Sequence, residues 1–321
     1  MKKLEESTDY LENVRMKCIS CNKCKKACPF LNKYDLDLKE YTDRVDLAYN
    51  CFMCGKCKSV CPMSLDGKKI SIILRAEKGK VGSNLVKDYF PFKNNVKKSS
   101  KSMDIYFPGC NFAAFYPETN AKIVKLFLER GGDFSFDCCK LPIKLAGDFK
   151  RAERSLSKLE KLLISSKTKR LVTACSNCYY YLKENTDLEI ISIYEWLLEN
   201  NIGNKIREKI LIHFPCPDRY EREIFKYIEE FLENSYYEKY QEVNCCGMGG
   251  GARAFEKEIS DSMIHSIKGE ELYTYCSTCS RVFMKNNNTH HILSVILGID
   301  EKVNPNYFVN SLKFKFKNRK I

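Results

Sequence analysis

The chain has 321 residues, 18 of them cysteine, and a formal net charge of +13. That length suits two or three domains of ordinary size. The charge is spread along the chain and falls with every thiol that becomes a metal-bound thiolate, so nucleic-acid binding is not expected. The opening MKKLEESTDYLENVRMKC carries no apolar run of the kind a secretory leader needs. No segment approaches the roughly 18 uninterrupted apolar residues of a membrane helix. A reducing, cytoplasmic setting is therefore expected, in which clustered cysteines hold metal or do redox chemistry rather than form disulfides.

Two runs follow with the same cadence, CISCNKCKKACPF at 18–30 and CFMCGKCKSVCPM at 51–63. C-x2-C-x2-C-x3-C-P is the bacterial ferredoxin signature for [4Fe-4S] clusters. Three close thiolates wrap one cubane, and the fourth reaches across to the other. This spacing assigns Cys18, Cys21, Cys24 and Cys61 to one cluster and Cys51, Cys54, Cys57 and Cys28 to the second. Zinc also uses C-x-x-C pairs, but it needs four ligands rather than eight in this cadence. Between the motifs DLKEYTDRVDLAY reads as helix, and SIILRAEKGKVGSNLVKDYF after them has apolar residues at helical spacing. Residues 1–90 thus form a helical two-cluster domain, and the basic, serine-rich PFKNNVKKSSKSM at 91–103 is the linker.

The remainder repeats itself. DIYFPGC (104–110) matches ILIHFPC (210–216), and RLVTACSNC (170–178) matches ELYTYCSTC (271–279). Cysteine pairs fall between them, Cys138-Cys139 and Cys245-Cys246, and each copy closes on an apolar helix start. A period of about a hundred residues suits two tandem α/β domains, 104–205 and 206–321, each with a small, mainly parallel sheet. The cysteines then lie in loops at the C-terminal ends of strands. Each copy offers five thiols: Cys110, Cys138, Cys139, Cys175 and Cys178, then Cys216, Cys245, Cys246, Cys276 and Cys279. Five exceed what a simple cubane or tetrahedral zinc needs. That surplus suggests an unusual cluster; the alternative is a four-cysteine zinc or cubane site with one spare thiol. The basic KFKFKNRKI at the end of the sequence is read as a solvated end, with a docking site for an acidic partner or a membrane surface as the alternative.

YFPGC, CCGMGGGAR and the two C-x-x-C ends give the chain, over almost its whole length, a layout that resembles the heterodisulfide reductase D subunit: a helical ferredoxin followed by two cysteine-rich CCG domains. Iron-sulfur subunits of anaerobic glycerol-3-phosphate dehydrogenase, glycolate oxidase and lactate-utilisation complexes share the layout. The resemblance implies a mixed fold, an α-helical 2[4Fe-4S] domain and two tandem α/β CCG domains. It also implies that the ten CCG cysteines hold two facing non-cubane [4Fe-4S] clusters and act catalytically, splitting the disulfide between coenzyme M and coenzyme B. The second copy matches fully, with Gly247 after its cysteine pair and Gly249 to Gly251 beyond, glycines that allow close backbone approach. The first departs: Lys140 stands in the place of Gly247, although Pro142 and Gly147 resemble the downstream pattern, and zinc is the alternative occupant there. Pro217 stands where many relatives have histidine.

As a disulfide reductase the protein receives single electrons from another protein, a flavoprotein or membrane cytochrome b. GMGGGAR follows a cysteine pair rather than a strand, so no flavin or nicotinamide loop is seen. Lys140, Arg253 and Arg281 would suit a small anionic disulfide, and His213 reads as structural. The rival function is an electron-transfer subunit of a flavin-dependent dehydrogenase with no substrate of its own. Either way the protein is expected to lack a membrane span and to reach the cytoplasmic face of the membrane only through a partner.

Overall fold

The computed structural model describes residues 2–79, 92, 95, 102–165, 168–234, 236 and 245–317. Most of the predicted linker, the helical pattern beyond residue 79 and the last four residues of the basic tail lie outside the described residues. The chain forms two compact units. One comprises Met1–Lys87, Pro142–Ala152 and Tyr240–Ile267; the other comprises Asp88–Leu141, Glu153–Lys239 and Lys268–Ile321.

The first unit is helical. Leu11 and Val14 of the helix Lys2–Lys17 join Phe30, Leu31, Leu38, Tyr41, Leu47, Leu65, Ile70, Ile73 and Leu74 in its core. DLKEYTDRVDLAY does not run as one helix. Asp37 and Glu40 form a capping box that starts the short helix Leu38–Tyr41. The chain then tightens to three-residue hydrogen bonds at Thr42, Asp43 and Arg44, while Thr42 Oγ1 bonds back to the Lys39 carbonyl. A weak helix former that offers the backbone a local alternative ends the element there, and a single 3₁₀ turn, Val45–Leu47, follows. The longer helix Gly67–Lys78 is capped by Asp66, which accepts from the Lys68 N–H.

The second unit carries both sheets. β1 (Asp104–Phe107), β2 (Asp133–Phe134), β3 (Arg170–Thr173) and β4 (Glu189–Ser192) form one sheet in the order β2-β1-β3-β4, every pair parallel. β5 (Leu211–His213), β6 (Glu271–Thr274) and β7 (Asn288–His291) form the other, also parallel, in the order β5-β6-β7. The strands read as unbroken apolar runs such as IYF, LVT and LIH because they are buried along their length. In the first sheet the chain leaves β1 towards β2 on one side and returns on the other at β3. The strand order therefore reverses between β1 and β3, and sheets of this kind place their sites past the C-terminal ends of such a pair.

The described start of the tail is solvated at Lys313 and Phe316 but not at Phe314 and Lys315. Residues 307–317 form the helix Tyr307–Lys317, Phe314 packs on Phe136 at 4.9 Å, and the buried Lys315 donates to Asn95 Oδ1. Phenylalanines two residues apart among lysines look like a solvated charged run in sequence. On a helix Phe314 and Asn310 share one face, and both are buried.

Candidate metal centres

The two N-terminal motifs fold alike. Ser20 and Asn22 in the first take left-handed backbone, and Met53 and Gly55 take the same positions in the second. Each turn leads into a five-residue helix, Lys23–Ala27 or Lys56–Val60, and these two helices pack together. Each helix stops at the fourth cysteine, Cys28 or Cys61, held extended by the proline that follows. Cys18, Cys21, Cys24 and Cys61 line one cavity with Ser20, Asn22, Asp37 and Leu65, its empty space ≈ 310 Å³ counted to the open mouth.

Cys28 belongs electrostatically to the other motif. Burial pushes its thiol up to about 12, and charge on Cys54 and Cys51 adds to the rise. Cys57 is held well above the ordinary thiol range by burial and then by Cys51, Cys54 and Cys28. Burial raises Cys51 too, against the Met53 N–H 3.3 Å from its sulfur and the charge of Arg75. Buried sulfurs that oppose one another's ionisation suit a cationic metal-sulfide core, which supplies the positive charge they lack. Among the described residues no group of three or more His, Cys, Asp or Glu side chains is arranged as the ligand set of a single metal ion.

The same unit holds a residue that sequence reasoning missed. Arg75 is 2% exposed, stacks on Tyr49 and donates to the carbonyls of Ala48, Leu145 and, at 3.5 Å, Cys51. It continues the buried stripe of Ile70 to Leu74, and an arginine there was the available signal. Glu256 is also buried, and Lys33, Tyr34 and Asn50 all donate to it. The glycine run makes the close approach expected of it: a Cβ at Gly249 would fall on the Phe52 carbonyl, and one at Gly250 would lie 3.0 Å from that of Cys51. The segment following Cys245 and Cys246 thus lies against the loop of the second motif.

In the second unit all five thiols of the first repeat come together. Cys110 opens the helix Cys110–Phe115 after β1, and Cys138 and Cys139 follow β2. Cys175 caps the helix Ser176–Asn185 after β3, and Cys178 lies within it. Hydrogen-bonding contacts join them in a row: Cys110 to Cys138, to Cys139, to Cys178, to Cys175. Cys138 is drawn well below the ordinary thiol range by its bonds from Cys110 and Cys139, helped by the N–H and charge of Lys140. Cys175 is lowered to about 7 by Cys178 and by N–H groups at the helix start. Cys110, Cys139 and Cys178 are correspondingly raised.

Lys140 and Gly247 make the same turn. Their φ angles are 71° and 68°, and each N–H points at the sulfur two residues upstream, at 3.4 Å to Cys138 and 3.3 Å to Cys245. A Cβ at Gly247 would come 2.3 Å from Ser260 Oγ, so at this position any side chain would force Ser260 aside. Lys140 is buried, its charge favouring the ionised forms of Cys138 and Asp137.

The second repeat divides between the units: Cys245 and Cys246 are buried in the first, and Cys216, Cys276 and Cys279 belong to the second. Cys216 follows β5, while Cys276 caps the helix Ser277–Phe283 after β6 and Cys279 is buried inside it. Asp218, also missed, is fully buried two residues after Cys216. It accepts from Tyr275 (2.6 Å), from Tyr180, and from the N–H groups of Ile224 and Phe225. Tyr275 precedes Cys276 and Tyr180 follows Cys178, so one carboxylate ties cysteine segments of both repeats together. Asn111, beside Cys110, donates to Thr278 at 2.7 Å.

The other candidates belong to both units. His213 is buried against Phe283, its Nε2 has no partner among the described residues, and burial then Arg219 push its pKa well down, so it stays neutral. Arg253 is paired with Asp261 in the first unit. Arg281 lies in the second, on the Cys276–Cys279 helix, beside Met284.

Residues 17–65 match the 4Fe-4S dicluster domain family, and residues 105–183 and 210–284 each match the cysteine-rich domain family. An uncharacterized iron-sulfur protein of Methanocaldococcus jannaschii is 24% identical over 297 residues, covering 85% of this chain and 58% of the relative. One subunit of the fumarate reductase (CoM/CoB) of Methanothermobacter marburgensis is 22% identical over 334 residues, covering 84% and 68%. An iron-sulfur protein of Methanococcus maripaludis is 23% identical over 329 residues, covering 82% and 66%. The chain therefore spans between 58% and 68% of the length of these relatives. No helix among the described residues is long and apolar enough to cross a membrane.

Proposed function

We propose that this iron-sulfur electron-transfer protein, a 4Fe-4S dicluster domain joined to two cysteine-rich domains, is the disulfide-reducing subunit of an oxidoreductase complex. The observation that carries the proposal is the first repeat's row of five thiols, Cys139 and Cys178 buried and Cys110, Cys138 and Cys175 half-buried, more than a cubane or a zinc ion needs. Cys18, Cys21, Cys24 and Cys61 would hold one cubane, and Cys51, Cys54, Cys57 and Cys28 the other. Cys110, Cys138, Cys139, Cys175 and Cys178, with Cys216, Cys245, Cys246, Cys276 and Cys279, would hold the remaining iron-sulfur groups. Bound there, the clusters supply one-electron storage and transfer.

Reduction of a disulfide to two thiols takes up two electrons and two protons. The protein's own part is to bring segments of both repeats together, through Asp218 and through Asn111 with Thr278, and to keep the sulfurs from water. Lys140 adds a buried positive charge beside Cys138, which favours an anionic substrate as well as the thiolates. Neutral, buried His213 is not the proton source. The naming of a similar subunit for CoM and CoB makes their mixed disulfide the first substrate to try.

The test is reduction of CoM-S-S-CoB by anaerobically purified holoprotein with a reduced viologen. Steady thiol release, two per two electrons, is expected. A protein whose clusters are reduced by viologen but which releases no thiol would be an electron-transfer subunit only, as in the flavin-dependent dehydrogenases.

A further inference from the structure

We propose that the surface around the cavity lined by Cys18, Cys21, Cys24 and Cys61 docks an acidic one-electron carrier protein. The inference goes beyond disulfide reduction and rests on the assignment of a cubane to those four cysteines.

Ile19 at 63% and Met63 at 41% stand exposed at this place, and so does Met16, two residues before Cys18, at 72%. Ile19 and Met63 line the cavity itself, as does the exposed Cys21. Apolar groups at the open edge of a metal site keep no water-borne substrate in place, whereas flexible methionines suit a protein surface that must be gripped and released.

The surrounding charge selects the partner. Residues 13–34 and 47–65 contain Arg15, Lys17, Lys23, Lys25, Lys26, Lys33, Lys56 and Lys58 and not one Asp or Glu, and the carboxylate that lines the cavity, Asp37, is buried. Arg15 is paired with Glu12 and Asp43, Lys25 with Asp35, and Lys33 with Glu256. Lys17, Lys23, Lys26 and Lys58 are exposed and make no ion pair among the described residues. Lys17 adjoins Cys18, Lys23 and Lys26 flank Cys24, and Lys58 precedes Cys61 by three positions. A cubane with four thiolates is itself anionic, so the cavity is not what attracts an acidic partner; the outward ammonium groups around it are. An apolar centre with a charged rim is the anatomy of a transient protein interface, and the rim sets its encounter rate. Anionic lipid would also meet such a rim, but lipid delivers no electrons to the site the patch surrounds.

Anaerobic holoprotein is mixed in stopped flow with a reduced, acidic [4Fe-4S] ferredoxin, and cluster reduction is followed at low and at high salt. The wild-type rate should fall about tenfold between roughly 0.02 and 0.5 M salt. The triple variant K17E/K23E/K58E should be about tenfold slower at low salt and nearly indifferent to salt, with unchanged iron content and an unchanged EPR spectrum after full chemical reduction. Should that variant lose its iron, the charge-neutral triple K17Q/K23Q/K58Q serves, with a fall of about threefold expected. Equal rates for wild type and variant at low salt would overturn the proposal. So would co-sedimentation with phosphatidylglycerol vesicles together with salt-independent reduction by ferredoxin. A wild-type protein without iron and acid-labile sulfide would overturn the cubane assignment and the docking proposal together. A wild type that carries iron but is untouched by the ferredoxin would overturn the docking proposal alone.

Discussion

Among the described residues, Met53, Lys140 and Gly247 each place an N–H on the sulfur two positions upstream while their own φ is positive. The turn is shared, and its surroundings decide which side chain it accepts. At Gly247 the space is taken by Ser260, so Gly247→Ala combines left-handed strain with a clash and should cost about 2–3 kcal/mol in urea unfolding of the anaerobic protein. An unchanged midpoint would mean that Ser260 moves aside freely. Asp218 is the more demanding case. Its carboxylate satisfies two tyrosine hydroxyls and two N–H groups, all buried or half-buried. Asp218→Ala strands them and should cost about 3–5 kcal/mol, with Asp218→Asn about half as harmful because one acceptor oxygen remains. Equal stability of all three proteins would refute that account. The cysteines were legible in sequence because metal-binding thiols recur at short, fixed spacing. Asp218 and Arg75 were not, because a lone charge in a sequence reads as surface until the fold shows what surrounds it.

At the scale of elements, the strand ends were legible. DIYF, RLVT, LIH and ELYT each became a parallel strand, and a cysteine followed each within four residues. Apolar runs stopped by Pro-Gly or Cys carry that information locally. What joins distant segments does not. Glu256 binds Lys33, Tyr34 and Asn50, and nothing in the sequence of any of these segments points to the others. Burial raises the Glu256 carboxyl, but the three donors outweigh it and leave its pKa below the ordinary glutamate value. The unfolded chain therefore binds the proton more readily than the folded one. The stabilisation is complete above the ordinary glutamate range and is lost as pH falls through the lower, folded value. Acid titration of stability should be steeper in the wild type than in Glu256→Gln below about pH 4.5, and the two should run parallel above about pH 6. Identical slopes throughout would show that Glu256 is not coupled to folding. The terminal helix is a second join of this kind: Phe314→Ala, emptying the space against Phe136, should cost about 3 kcal/mol.

Taken as a whole, the molecule has two units that hold themselves together by different means. The second has parallel sheets and a continuous apolar core that includes Tyr106, Phe107, Phe127, Leu171, Val172, Trp196 and Leu197. Around its candidate sites the first has helices of five residues, Lys23–Ala27 and Lys56–Val60, far shorter than a helix that persists alone in water. Between and behind them lie buried and half-buried thiols that raise one another's pKa. A segment built this way gains from bound metal what it lacks in core, since ligand binding to the folded state is folding free energy. Removing iron under anaerobic, reducing conditions should therefore act unevenly. Hydrogen exchange with mass-spectrometric readout should show amide protection collapsing by about a hundredfold or more across 18–65, an opening made easier by about 3 kcal/mol. The amides of β1, β3 and β6 should lose much less. Equal loss in both units would mean that the metal sites of the sheet-bearing unit carry as much of its stability as those of the helical one. Unchanged protection at 18–65 would mean that those thiols hold no metal that the fold depends on.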